Sequence, residues 1–140
     1  MSIVLDASIW VSASIPDDVH HQPTRAWLAG LSASDTLVSP ALGLVETAGA
    51  VSRRTGSATL ARQIVAAIEQ LPNVIIVIPD AELWTLSVES AAGRSLRGAD
   101  AMYVALAEAL GFPLATWDTD QRKKAEPRVR VITPVRRATS

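Results

Sequence analysis

The chain has no cysteine, which excludes a disulfide scaffold, thiol catalysis and cysteine-ligated zinc or iron–sulfur centres and agrees with a reducing compartment. Aromatic residues are scarce too: four Trp, one Tyr and one Phe among 140 residues. The interior must therefore be aliphatic and alanine-rich, which argues against disorder and suits helix-rich or α/β packing. The only two histidines, His20 and His21, fall in the polar stretch 16–23, which reads as a solvated loop, so imidazole ligation of a metal is not expected. No apolar run approaches the roughly 20 residues that a membrane helix needs. The opening MSIVLDAS lacks a basic region and breaks its apolar run at Asp6, unlike a signal peptide. A cytoplasmic protein without membrane contact is expected.

With 49% hydrophobic and 19% charged residues, the length fits one domain over residues 1–140 that buries roughly two thirds of its unfolded surface. The formal charge of −1 hides an uneven distribution. Residues 1–120 carry 6 basic and 13 acidic side chains, whereas residues 121–140 carry 7 basic and 1 acidic. A basic C-terminal segment thus follows an acidic body, a pattern compatible with a polyanion partner or with a solvated tail.

Short Ile- and Val-rich stretches recur at 3–5, 37–38, 74–78, 114–117 and 129–132, each bounded by turn residues or proline, and read as strands. Helix-length segments lie between them at 23–31, 41–54, 57–71, 81–92 and 99–110. This alternation implies a mainly parallel sheet with helices on both faces, an α/β/α sandwich. Gly56 after Arg53 and Arg54, with Ser57 next, marks a helix stop followed by a helix cap. Gly111 and Pro113 stop the helix that opens at Ala99.

Ligands of an open parallel sheet bind beyond the carboxyl ends of its strands. Asp6 directly follows Ile3-Val4-Leu5, and Asp118 directly follows Leu114-Ala115-Thr116-Trp117. Either acid alone also suits a cap for a following helix; together they face one another across the sheet edge. Asp100 opens a segment that is apolar nearly all round, Ala101 to Ala107, where a carboxylate needs Arg97 or a metal as counter-charge. Glu46 is the only charge between Asp35 and Arg53. Four converging carboxylates repel one another, and a hard divalent cation resolves the conflict. Oxygen donors without His or Cys favour Mg²⁺ or Mn²⁺.

These residues resemble the PIN-domain ribonucleases, most closely the VapC-type toxins of toxin–antitoxin pairs. The likeness rests on Ile3-Val4-Leu5-Asp6-Ala7-Ser8, Val45-Glu46, Leu96-Arg97-Gly98-Ala99-Asp100-Ala101 before Tyr103-Val104-Ala105-Leu106-Ala107, and Thr116-Trp117-Asp118 with Asp120. It implies a three-layer PIN-like sandwich with Asp6, Glu46, Asp100 and Asp118 as metal-binding and catalytic acids, Ser8 and Thr116 in supporting roles, and Asp120 as a further acidic position or a helix cap. It also implies a homodimer and a cognate antitoxin. The reaction expected is metal-dependent hydrolysis of RNA phosphodiesters. Arg94, Arg97, Arg122, Lys123 and Lys124 are candidates to contact the RNA backbone or to be solvated cations. Trp10 and Trp117 adjoin strand-end acids and can stack on bases or pack inward; Trp27 and Trp84 read as helix-face core residues. A haloacid-dehalogenase-type phosphotransferase needs a second Asp where this chain has Ser8, and the acidic pair and late lysine of a receiver domain are absent. The alternative kept open is a PIN-like module that binds RNA or protein without cutting.

Overall fold

The computed structural model describes residues 1–135, so Arg136 and Arg137 of the basic tail lie outside the described residues. The elements run β1 (Ser2–Leu5), α1 (Ala7–Ser14), α2 (His21–Ala29), β2 (Thr36–Pro40), α3 (Ala41–Thr55), α4 (Ala58–Gln70), β3 (Val74–Val77), α5 (Ala81–Arg94), α6 (Gly98–Leu110), β4 (Leu114–Ala115), α7 (Thr119–Ala125) and β5 (Val131–Ile132). The strands form one sheet in the order β3-β2-β1-β4-β5, and every pairing is parallel. The expected α/β/α sandwich is the observed architecture. Among the described residues no helix is long and apolar enough to cross a membrane.

Alternation along the strands divides the core. Ile3, Leu5, Leu37 and Ala115 pack with Ile9 and Trp10 of α1 and with Trp27, Leu28 and Ile64 of α2 and α4. Val4, Val38 and Leu114 pack with α5 and α6 and with Ala125 of α7. Because helices cover both faces, the central strand is apolar at every buried position rather than alternating with polar residues. The segment from Ala101 to Ala107 is buried throughout, as its all-round hydrophobicity implies. Gly56 and Gly111 end α3 and α6 at φ 71° and 68°, the left-handed conformation that glycine adopts without steric penalty. Ser57 caps α4 by accepting from the Leu60 N–H.

A helix, α1, follows Asp6, and that carboxylate caps it. Two sequence expectations are corrected. His20 closes a turn and is half-buried, and His21 is not in a solvated loop but opens α2, two residues before Pro23. Proline is tolerated there because first-turn N–H groups have no intrahelical acceptor to lose. Trp84 is not core but 55% exposed, together with Val88, while Leu83, Ser87 and Ser90 form the buried stripe of α5. Small residues on that stripe let α5 and the alanine-rich α6 approach closely, so the side of α5 that packs is not its most hydrophobic one. Trp10 is buried and presents no face to a base.

Candidate active site

The strand order reverses direction between β1 and β4, the switch point at which open parallel sheets form a crevice. Parallel pairing there sets Val4 against Leu114 and Leu5 against Ala115, which carries Asp6 and Thr116 to the same level at the carboxyl edge. The Thr116 hydroxyl lies 2.5 Å from Asp6 Oδ2. Asp6 Oδ1 accepts from the Ser8 N–H and hydroxyl at 3.0 and 2.5 Å. Ser8 Oγ in turn accepts from the Trp117 N–H, so both hydroxyls join the ends of β1 and β4 around one carboxylate. Asp6 therefore caps α1 and lines the crevice at once. Asp118 likewise caps α7, accepting from the Asp120 and Gln121 N–H groups.

Burial grades across the acids: Asp6 is 4% exposed, Glu46 and Asp100 are half-buried, and Asp118 and Asp120 are exposed. Burial raises the Asp6 carboxyl to about 7 against the opposing hydrogen bonds from Ser8 and Thr116, and the charge of Asp100 adds to the rise. Asp100 is raised to about 6, first by burial, then by the charges of Asp118 and Glu46; Arg97 offsets part of this, and Asp120 adds to it. The acids are thus electrostatic neighbours grouped around Asp100. Among the described residues no three His, Asp or Glu side chains are gathered into a ready-made metal cage. The donors nonetheless fit a hard divalent cation: they are carboxylate oxygens, and burial together with neighbouring like charges favours protonation of Asp6 and Asp100, a penalty that a cation offsets.

The Thr116 hydroxyl faces two acceptors, Asp6 Oδ2 and Gln121 Oε1. Gln121 Nε2 donates to the Asp100 carbonyl, which turns Oε1 toward Thr116 Oγ1, 3.0 Å away. Thr116 has one proton and already accepts from the Asp118 N–H. If that proton goes to Gln121, Asp6 Oδ2 must carry its own proton to bond Thr116.

Glu46 is held from α6. Tyr103, 1% exposed, donates its hydroxyl to Glu46 Oε1 at 2.6 Å. Burial first, and then this hydrogen bond, raise the phenol above its ordinary range and keep it a donor. Gly43 makes the approach possible: a Cβ there would lie 2.6 Å from Ser39 Oγ and 3.1 Å from the Tyr103 hydroxyl. Gly43→Ala is expected to displace both side chains and destabilise the fold by about 1–3 kcal/mol. Chemical denaturation checks this, and an unchanged midpoint contradicts it.

A cleft of about 620 Å³ beside the acids is lined by Ser8, Glu46, His20, Trp117, Arg53 and Arg54. His20 stacks on Trp117 with ring centroids 3.9 Å apart, and Trp117 Nε1 donates to Thr24. His21 Nδ1 lies 2.8 Å from the Ser12 carbonyl. Both histidines and Trp117 are therefore committed to the walls of the fold. Of the cations named from sequence, Arg97 flanks Asp100 and Lys123 is exposed and without an ion pair among the described residues. Arg122 and Lys124 pair with Glu126 and Asp120. Arg94 is a structural tie rather than a free cation: it donates to the Ala125 carbonyl and pairs with Glu108. Sequence reasoning missed Arg53 and Arg54 at the cleft, as well as Tyr103 and Gln121; the only signal for the arginines was their placement about two turns beyond Glu46 on α3.

The profile of the PIN domain family matches residues 3–127, and the chain belongs to that family. No curated protein matches the sequence. The fold is similar to that of VapC20 from Mycobacterium tuberculosis, a sarcin–ricin loop cleaving toxin, at 23% identity and TM-score 0.78, covering 91% of this chain and 98% of that one. It is similar to FitAcB from Neisseria gonorrhoeae at 23% identity and TM-score 0.69, over 94% and 97% of the two chains. VapBC2 from Rickettsia felis, bound to a DNA fragment from its promoter, is similar at 17% identity and TM-score 0.72, over 94% and 98%.

Proposed function

We propose that this chain is an Mg²⁺- or Mn²⁺-dependent endoribonuclease, the toxin of a VapBC-type pair. The observation that carries the reading is the grouping of Asp6, Glu46, Asp118 and Asp120 around Asp100 at the switch point of the sheet, with Asp6 raised by burial and the charge of Asp100, and Asp100 by burial and the charges of Asp118, Glu46 and Asp120. Membership of the PIN family and the likeness to a sarcin–ricin loop cleaving toxin support it. Asp6, Asp100 and Asp118 hold the cation, and Glu46, aimed by Tyr103, is a ligand or orients water. A divalent ion held there would supply charge neutralisation at the phosphate and would lower the pKa of water for hydrolysis. Ser8 and Thr116 fix the Asp6 carboxylate, while Arg53, Arg97 and Lys123 meet the RNA backbone. The partners of this reading are RNA, a cognate antitoxin and a second copy of the chain.

Incubation of structured RNA with the protein in Mg²⁺ or Mn²⁺ and in excess chelator tests the proposal. Cleavage is expected only with metal. The products should carry 5′-phosphate and 3′-hydroxyl ends, because an external water rather than the 2′-hydroxyl is the nucleophile. Full activity in chelator, or 2′,3′-cyclic phosphate ends, contradicts it.

A further inference from the structure

We infer that Gln121 is a positioning residue for the cation site, a buried clamp that sets the spacing between the Asp100 turn and the segment carrying Thr116 and Asp118. The inference rests on the metal-dependent reading above and adds a residue that is not itself a ligand but whose side chain leaves the turn capped by Asp118 to reach the Asp100 and Thr116 segments. Gln121 is fully buried, 0% exposed, on α7. An amide at such a position carries a desolvation penalty that Leu or Met of similar size does not, unless both of its polar ends are used. Both ends are used here. Nε2 donates to the Asp100 carbonyl at 3.3 Å, and Oε1 accepts from the Thr116 hydroxyl at 3.0 Å. Through Thr116 Oγ1 the chain of hydrogen bonds continues to Asp6 Oδ2 and to the Asp118 backbone N–H. Three of the four proposed ligand segments thus meet in one network. Among the described residues, the bond from Gln121 is the only hydrogen bond joining residues 97–104 to residues 116–121.

The flanking sequence explains why the residue is easy to overlook. Asp120, Arg122 and Lys123 surround it with charge, yet the helical turn points position 121 inward with Ala125, four residues on and on the same face. Outer-shell partners of metal ligands typically change metal affinity by about 10- to 100-fold when removed. That is the range expected for Gln121→Met, which keeps side-chain volume and deletes both hydrogen bonds.

The test is calorimetric titration of the full chain with Mn²⁺, for wild type, Gln121→Met, Thr116→Val and the double variant, with thermal melts in chelator reporting any purely structural loss. Gln121→Met is expected to raise the Mn²⁺ Kd about 10- to 100-fold. The losses from Gln121→Met and Thr116→Val should be less than additive, because the glutamine acts on Asp6 and Asp118 through the threonine hydroxyl. Unchanged Mn²⁺ affinity in Gln121→Met, or strict additivity in the cycle, overturns the clamp while leaving the metal site intact. Absence of Mn²⁺ binding by the wild type instead overturns the metal-dependent reading itself. Should Gln121→Met not fold, Gln121→Asn, one methylene shorter, cannot span both partners, and wild-type affinity in that variant also overturns the inference.

Discussion

Asp6→Asn and Asp100→Asn should each lower RNA cleavage by roughly two to four orders of magnitude at saturating Mg²⁺, the scale of several kcal/mol of lost charge stabilisation. The two variants reach that loss differently. Asp6 is buried and clasped by Ser8 and Thr116, so its amide stays in place and simply lacks the charge that holds the cation. Asp100 is the point through which the charges of Asp118, Glu46 and Asp120 act together, so neutralising it weakens the common field of the site. Removing an exposed cation such as Lys123 should be milder and depend on salt, since backbone contacts are screened. Single-turnover cleavage of one RNA substrate separates the cases, and activity within tenfold of wild type in both Asp variants contradicts the catalytic assignment.

The second large effect is on stability. Asp6 moves from an ordinary value of 3.8 to about 7 on folding, so between those values the native state holds more protons than the unfolded chain. Stability without metal should therefore fall as pH rises from about 4 to about 7 and level off above that. Asp100, raised from 3.8 to about 6, adds to the same fall over a narrower window. The total is on the order of a few kcal/mol, most of it from the buried Asp6. Asn at position 6 mimics the protonated acid, its oxygen accepting from Ser8 and its NH₂ donating to Thr116. Asp6→Asn should thus stabilise the protein in chelator near neutral pH by about 1 kcal/mol or more and flatten the pH profile. Millimolar Mn²⁺ should raise the wild-type Tm by mass action and do little for the variant. Melts across pH 4–8 decide the matter. A wild type whose stability rises through that window, or an Asp6→Asn that is destabilised throughout, contradicts the account.

The parts of the site that were legible from sequence are those in which one residue type conflicts with its surroundings. Asp6 ends an apolar strand, Asp100 opens an apolar helix and Glu46 is a lone charge in a long neutral stretch, and each conflict marks a position at the crevice. What was not legible depends on contacts between distant segments. Tyr103 reaches Glu46 only because Gly43 leaves room, and Gln121 is buried only because α7 packs beneath the sheet edge. The helix α1 is marked in the sequence only by its cap, Asp6, because Ile9, Trp10, Val11 and Ser12 are all buried and no polar stripe gives it a helical period. In α5 the buried Ser87 and the exposed Trp84 reverse the usual pattern, since close packing on α6 selects small size over hydrophobicity. Arg94 reads as a surface cation by sequence and is instead held between α6 and α7 by Glu108 and the Ala125 carbonyl.

Carboxyl-detected NMR titration of the full chain, with and without Mg²⁺, tests the central claim that these acids form one cation site. In chelator the account predicts midpoints for Asp6 and Asp100 of about 7 and about 6, and a displacement of both below the ordinary carboxylate range once Mg²⁺ saturates, because the cation competes with the proton for the same oxygens. Asp6 and Asp100 titrating near 3.8 in chelator and unmoved by Mg²⁺ would contradict it, leaving the acids as separate caps of their helices.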